Sequence, residues 1–264
     1  MNALKMKQNR AHILGQVNFV DEFAINHSIE ILSDIKRQFN HIAIVGNKAN
    51  LWANGLGFKN ANLIDEAETL NFKNKQFDLI IHALSLHRCN DPLGQLIQVC
   101  HVLKPDGLML AFLCGGETLR EVRTSFEAAE IEIENGVSPR VSPMIEIRDA
   151  GNLLVRAGFA LTVAERTNLD VTYKSTIDLL YDLRGMGETS ILYNRKKSFL
   201  KRSTFNKFLE IYSNRHNVPR GHRVRATFQL LCLTGWAPSI NQQKPLKPGS
   251  ASHHLSEFLS TYKL

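Results

Sequence analysis

A glycine, two acids, two histidines and two arginines are the residues here whose types and positions could do chemistry. Gly46 closes the apolar run His41 to Gly46 (HIAIVG). Glycine after a strand lets a nucleotide-like cofactor approach backbone where any side chain would collide. The turn continues Asn47-Lys48-Ala49-Asn50, so only the first glycine of such a loop is present, and Lys48 and Asn50 stand where close approach is needed. A tight turn or a helix start accounts for a lone glycine equally well. Asp65 follows Gly46 by 19 residues, near the ~20 expected of an acid that holds ribose hydroxyls. Asp65 and Glu66 can also be read as the end of the next strand, or as a solvated acidic loop with Glu68.

His87 lies just past the apolar run Phe77 to Leu84 (FDLIIHAL), where a general base or a pocket-shaping group would stand. A histidine that caps a strand end is the alternative. His82, inside that run, reads as a satisfied core group. Arg140, framed by Pro139-side and Pro143-side turns in GVSPRVSP (Gly136 to Pro143), and Arg184, in DLRGMGE (Asp182 to Glu188), sit where arginine could grip carboxylates of a protein partner. Internal pairing with Asp149, Asp182 or Glu188 is the competing reading.

Spacing argues against other chemistries. No His-x-Asp or His-x-Glu occurs, and the four cysteines form no C-x-x-C pair, so no metal or iron–sulfur site is expected. Nor is there a Gly-x-Ser-x-Gly elbow or a phosphate-binding P-loop. Cysteines scattered in apolar runs fit a reducing cytoplasm. No apolar run has the length of a membrane helix or a secretory signal. The net charge of +7 suggests an acidic partner surface, but its basic residues are scattered apart from Arg195 to Lys197 with Lys201 and Arg202, a cluster that a solvated helix face explains better than nucleic acid does.

These candidates need a frame to hold them. Apolar positions at helical spacing predict a helix over Val17 to Phe39. HIAIVG, Asn62 to Asp65 and FDLIIHAL read as parallel strands, with a helix over Asn47 to Leu56. Pro92 opens a helix to Leu103 that Lys104-Pro105-Asp106-Gly107 ends. Leu108 to Cys114, Leu161 to Val171 and Arg225 to Leu233 are further strands. Helices are expected over Thr118 to Glu130, Met144 to Ala157, Ser175 to Arg184 and Thr204 to Arg215. Strands alternating with helices predict an α/β, doubly wound, mostly parallel sheet. Residues 16–240 should form that domain, after a flexible N-terminus (1–15) and before a loosely held tail (241–264). Ligands of such sheets bind beyond the carboxyl ends of the strands, here after Val45, Ile64 and Ala83.

Phe77-Asp78-Leu79-Ile80-Ile81, Leu86-His87 with Asn90-Asp91, and Leu103 to Gly107 resemble the central motifs of class I S-adenosylmethionine-dependent methyltransferases. GVSPRVSP, IRDAGNLLVRAGF (Ile147 to Phe159), DLRGMGE, LTGWAP (Leu233 to Pro238) and QQKPLKPGSA (Gln242 to Ala251) are more specific. They resemble the bacterial relatives of the mitochondrial complex I assembly factor, a methyltransferase-fold arginine hydroxylase. The resemblance implies a Rossmann-like fold and a cofactor, adenosylmethionine, at Gly46, Asp65, Glu66 and Ala83. It also implies a protein partner, a respiratory complex I subunit. By motif rather than spacing, Asp65 and Glu66 contact the adenine edge and no ribose acid remains. Relatives have two strand–helix units between the glycine turn and Glu66, whereas this chain has room for about one. The residue after His87 is typically tryptophan in the family and is Arg88 here. Weak or absent cofactor binding is the expectation, and two functions stay open: a methyltransferase-like enzyme acting on a protein arginine, or an inactive assembly factor that acts by binding.

Overall fold

A computed structural model describes residues 17–250 other than 73–75, 191, 194, 197, 220, 222 and 244–248. The expected flexible N-terminus lies outside the described residues, as does most of the tail. The elements in chain order are α1 (Phe19–Asp34), β1 (Ile42–Val45), α2 (Ala49–Gly55), β2 (Asn62–Ile64), β3 (Phe77–Ala83), a single 3-10 turn (Leu86–Arg88), α3 (Pro92–Val102), β4 (Leu103–Cys114), α4 (Arg120–Glu134), α5 (Ile147–Arg156), β5 (Ala160–Tyr173), α6 (Thr176–Met186), α7 (Arg202–Arg215), β6 (Asn217–Val218) and β7 (Arg223–Trp236).

The strands form one seven-stranded sheet in the order β2-β1-β3-β4-β7-β5, with β6 pairing to β7. β1 pairs in parallel with β2 and β3, and β3 with β4. β7 runs antiparallel to β4, β5 and β6, so it alone points the other way. β1 and β3 are buried along their whole length, as continuous apolar runs between two helical layers require. One core cluster joins α1, α2, α4, α6 and α7 to one face, and a second joins α3 and α5 to the other. Between β1 and β3 the described residues form one helix and one strand, which matches the shortened spacing in the sequence.

Local signals act as expected at several ends. Asp91 caps α3 by accepting from the Gly94 N–H at 2.8 Å, with Pro92 in the first turn. Gly158 takes φ +91° after α5, a conformation that side chains disfavour. Two boundaries differ. α1 stops at Asp34 although Ile35 and Phe39 keep helical spacing; Ile35 is already extended, and both side chains cover the core from irregular chain. Residues 103–107 belong to β4, with the register slipping beside Phe77 and Asp106 at φ +63°. The Lys-Pro-Asp-Gly signal marks that irregularity as well as the helix end. At the far border, β5 is an edge strand of 14 residues in which every second residue is exposed, apart from the consecutive Glu165 and Arg166.

Candidate functional site

The parallel strands bring the loops after β1, β2, β3 and β4 to one rim. Gly46 has φ +150°, and a Cβ there would lie 2.7 Å from the carbonyl oxygen of Ala83. The glycine therefore serves the close approach of two neighbouring strand ends. Lys48 is held back toward α1. Its Nζ donates to Asp21 Oδ2 at 2.6 Å and to the Val17 carbonyl at 3.2 Å. Asp21 is itself buried and also accepts from Trp52 Nε1 at 3.0 Å, so the loop is clamped onto α1.

Arg88 spans the rim. Its Nη2 donates to Glu66 Oε1 and, at 3.4 Å, to Asn47 Oδ1; its Nη1 donates to Glu188 Oε1 at 2.5 Å. Arg88 and Glu66 are both about 10% exposed, so this ion pair is largely withdrawn from solvent. Glu66 further accepts from the Asn47 N–H at 3.3 Å. Asp65 is exposed.

Glu188 arrives from the other end of the chain. Gly187, at φ +82°, ends α6 with its N–H on the Arg184 carbonyl, and the Glu188 N–H returns to Leu183 at 2.9 Å. This left-handed cap is what the Gly-Met-Gly segment is for, and it turns Glu188 onto the rim. His87, almost fully buried, has Nε2 3.5 Å from Glu188 Oε1. Its Nδ1 lies 3.5 Å from the Cys114 N–H at the end of β4. Burial opposes a charged imidazole, but Cys114 and Glu188 outweigh it and push the His87 pKa up to about 10. Burial would likewise raise the Glu188 carboxyl, yet Arg88 and His87 hold it down to about 2. His82 behaves differently. It is wholly buried, donates to Gln95 Oε1 at 2.8 Å and accepts from Ser85 Oγ at 2.9 Å. Burial drives its pKa down to about 4, so it is a neutral core group.

Beside this rim opens a cavity of about 340 Å³. Its walls are mostly apolar, from Leu119, Val122, Phe126, Leu183, Phe205 and Phe228 among others, and its polar side carries Lys48, His87, Arg88 and Glu188. On that side Arg88 Nε is buried without a hydrogen-bond partner among the described residues, while His87 Nε2 keeps only its 3.5 Å ion-pair contact with Glu188. An apolar chamber with an imidazole and a guanidinium in its wall suits a ligand that presents an acceptor oxygen on an apolar body.

Arg140 and Arg184 both line the cavity but in different states. Arg140 Nε donates to Glu130 Oε1 at 2.8 Å, its Nη2 reaches the same oxygen, and its guanidinium lies over Phe126. Glu130 is buried and also accepts from the Ser138 N–H at 2.6 Å. Arg140 thus staples its loop to α4 through an acid the sequence reading did not consider. Arg184 is exposed and lies over the Tyr181 ring at 5.9 Å. With Ile177, 42% exposed, and Tyr181, 56% exposed, it forms an outward stripe along α6 at helical spacing.

The residues present do not fit adenosylmethionine. Glu66 is already paired with Arg88, the Gly46 backbone is packed against Ala83, and the Arg88 guanidinium reaches Glu66 and Asn47 just beyond the ends of β2 and β1. Of the residues expected at the site, His87, Arg140 and Arg184 share the cavity, while Gly46, Asp65, Glu66 and Ala83 do not line it. Sequence reading missed Arg88 and Glu188 as a pair. The available signal was the arginine standing where the family has tryptophan, together with the acid closing DLRGMGE.

Residues 18–111 match the methyltransferase domain family Methyltransf_11. The protein "Arginine-hydroxylase NDUFAF5, mitochondrial" of Danio rerio is 40% identical over 199 residues, 75% of this chain and 61% of its own length. Its human counterpart is 37% identical over 196 residues, 74% of this chain and 56% of its own length. The chain spans about three fifths of the length of these curated relatives. Among solved structures, the YcgJ protein of Bacillus subtilis superposes with TM-score 0.51 at 12% identity, covering 81% of this chain and 99% of that one. That likeness speaks for the fold alone.

Proposed function

Because the chain is a homologue of the NDUFAF5 arginine hydroxylases built on a methyltransferase-type fold, we propose that it serves the assembly of respiratory complex I by binding a protein partner, without transferring a methyl group from adenosylmethionine. The observation that carries this reading is the Arg88 bridge to Glu66 and Glu188. The protein's own guanidinium takes the space and the acid that a nucleoside would need. The cavity next to it stays open, and the His87 and Arg88 side chains in its wall suit a carbonyl or carboxylate of a bound segment. The α6 stripe of Ile177, Tyr181 and Arg184 adds an apolar, cationic surface for the same partner.

Calorimetric titration of the purified, ligand-free chain with adenosylhomocysteine tests it. Loss of two or three hydrogen bonds, some to charged groups, weakens binding by roughly 2–4 kcal/mol, about 30- to 1000-fold. Binding no tighter than the high micromolar range is expected, and a low-micromolar dissociation constant would overturn the reading.

A second reading keeps chemistry in the cavity, as hydroxylation of a partner's arginine: dioxygen supplies the added oxygen atom, and an external two-electron donor with two protons reduces the other to water. Glu188 favours it: this acid is ionised at neutral pH and already binds one guanidinium, that of Arg88. Mass spectrometry of complex I subunits from cells with and without the protein discriminates the two. An arginine carrying one added oxygen only when the protein is present would select the second.

A further inference from the structure

Outside the cavity lining, three donor side chains meet where helix α1 crosses the sheet. Cys232 on β7 stands directly opposite Glu165 on β5 and opposite Phe112 on β4. Antiparallel partners on one face bring their Cβ atoms to about 4.5–5.5 Å, so the register alone puts the thiol beside the carboxylate. His27 of α1 lies over the same place, its ring edge-on to Phe112 with centroids 6.1 Å apart. His27 Nε2 is 3.2 Å from Glu165 Oε2, and His27 Nδ1 is 3.3 Å from Glu30 Oε2.

We propose that His27 Nε2, Cys232 Sγ and a Glu165 carboxylate oxygen bind a borderline divalent cation, zinc above all, with the fourth position open to solvent. The three donor atoms lie within 4.8 Å of one another, and they form the one such group among the described residues. Tetrahedral zinc bonds to nitrogen, oxygen and sulfur set donors about 3.3–3.8 Å apart, so closing the site takes small side-chain rotations. The donor set decides the metal: imidazole, carboxylate and thiolate together suit zinc and exclude calcium or magnesium, which take oxygen. Glu30 supplies the outer partner that ligating histidines use, a carboxylate on the other ring nitrogen. With a proton on Nδ1 donated to Glu30, the Nε2 lone pair faces the metal. The Cys232 thiol releases its proton to solvent on binding, and the thiolate and Glu165 together balance the two positive charges. Cys232 is buried while Glu165 is half exposed, which leaves one side open for metal entry and a water ligand. Sequence spacing concealed the group, since its members are separated by 138 and 67 positions.

Cobalt(II) titration of the reduced, chelator-treated chain tests this. A near-ultraviolet thiolate-to-cobalt absorption that saturates, and that zinc abolishes, is the expected result. Cys232→Ser should remove the band, and His27→Gln or Glu165→Gln should weaken cobalt binding at least about tenfold. Cys89, Cys100, Cys114, His253 and His254 stay intact in these variants, so binding elsewhere would survive them. A wild-type chain without the band overturns the proposal, as does a band that persists in Cys232→Ser. If Cys232→Ser fails to fold by circular dichroism, Glu165→Gln decides, because its side chain is half exposed; undiminished cobalt affinity there overturns the site.

Discussion

Arg88 Nη2 donates to Glu66 Oε1 across the ends of strands β3 and β2, so an acid the sequence offers to a cofactor is occupied by the chain's own cation. The pair is about 10% exposed on each side, and Glu188 completes the bridge. Replacing Arg88 by alanine would leave two carboxylates facing each other in a largely buried rim. Such orphaning costs about 2–4 kcal/mol, so Arg88→Ala should lower the melting temperature by several degrees. Differential scanning calorimetry checks it, and an unchanged melting point would mean the bridge carries no stability.

His87 gives a pH signature. Its pKa rises from an ordinary 6.5 in the unfolded chain to about 10 in the fold. A raised pKa contributes stability that is fully present below pH 6.5 and is lost as the pH climbs through 10. The melting temperature should therefore fall between neutral pH and pH 10, and His87→Gln should flatten that part of the curve. Identical slopes for wild type and variant would show that His87 is neutral in the fold. A catalytic His87 would instead lose turnover in His87→Ala with little change in melting.

The two arginines should separate. Arg140→Ala removes a partner from buried Glu130, although the two Ser138 donors remain. A loss of about 1–3 kcal/mol is expected, seen as a lower denaturation midpoint. Arg184→Ala, exposed and touching only the Tyr181 ring in the described structure, should stay within about 0.5 kcal/mol of wild type. Combined with Tyr181→Ala it should abolish co-purification with complex I intermediates. A stable double variant that still captures them would remove α6 from the docking surface.

Gly46→Ala tests what the glycine is for. The added Cβ would meet the Ala83 carbonyl at 2.7 Å from a backbone at φ +150°. Overpacking and backbone strain together should cost about 2–4 kcal/mol, measurable by urea denaturation of the free chain. A variant as stable as wild type would refute the packing role.

Much of the frame was legible because its signals are local. HIAIVG and FDLIIHAL are apolar without interruption and became β1 and β3, the two fully buried strands. Asp91-Pro92 and Gly158 mark helix ends by capping and left-handed backbone, and both do so in the fold. The site was less legible because its bonds are long in sequence. Arg88 finds Glu66 22 residues away and Glu188 100 residues away, and Arg140 chose Glu130 over the acids nearest in motif. No periodicity encodes such choices. They depend on which loop the sheet order lays beside which, and on where a left-handed glycine turns the chain.

The long border strand β5 has a consequence for handling the protein. A 14-residue strand whose outer hydrogen-bonding side faces no other described strand is a ready template for intermolecular sheet growth. Leu161 and Val163 are exposed along it, yet Glu165, Arg166 and Asp170 punctuate the same stretch. These charges act as gatekeepers against stacking of copies. Neutralising them should favour edge-to-edge pairing of copies, so solubility in concentrated solution should respond to this border.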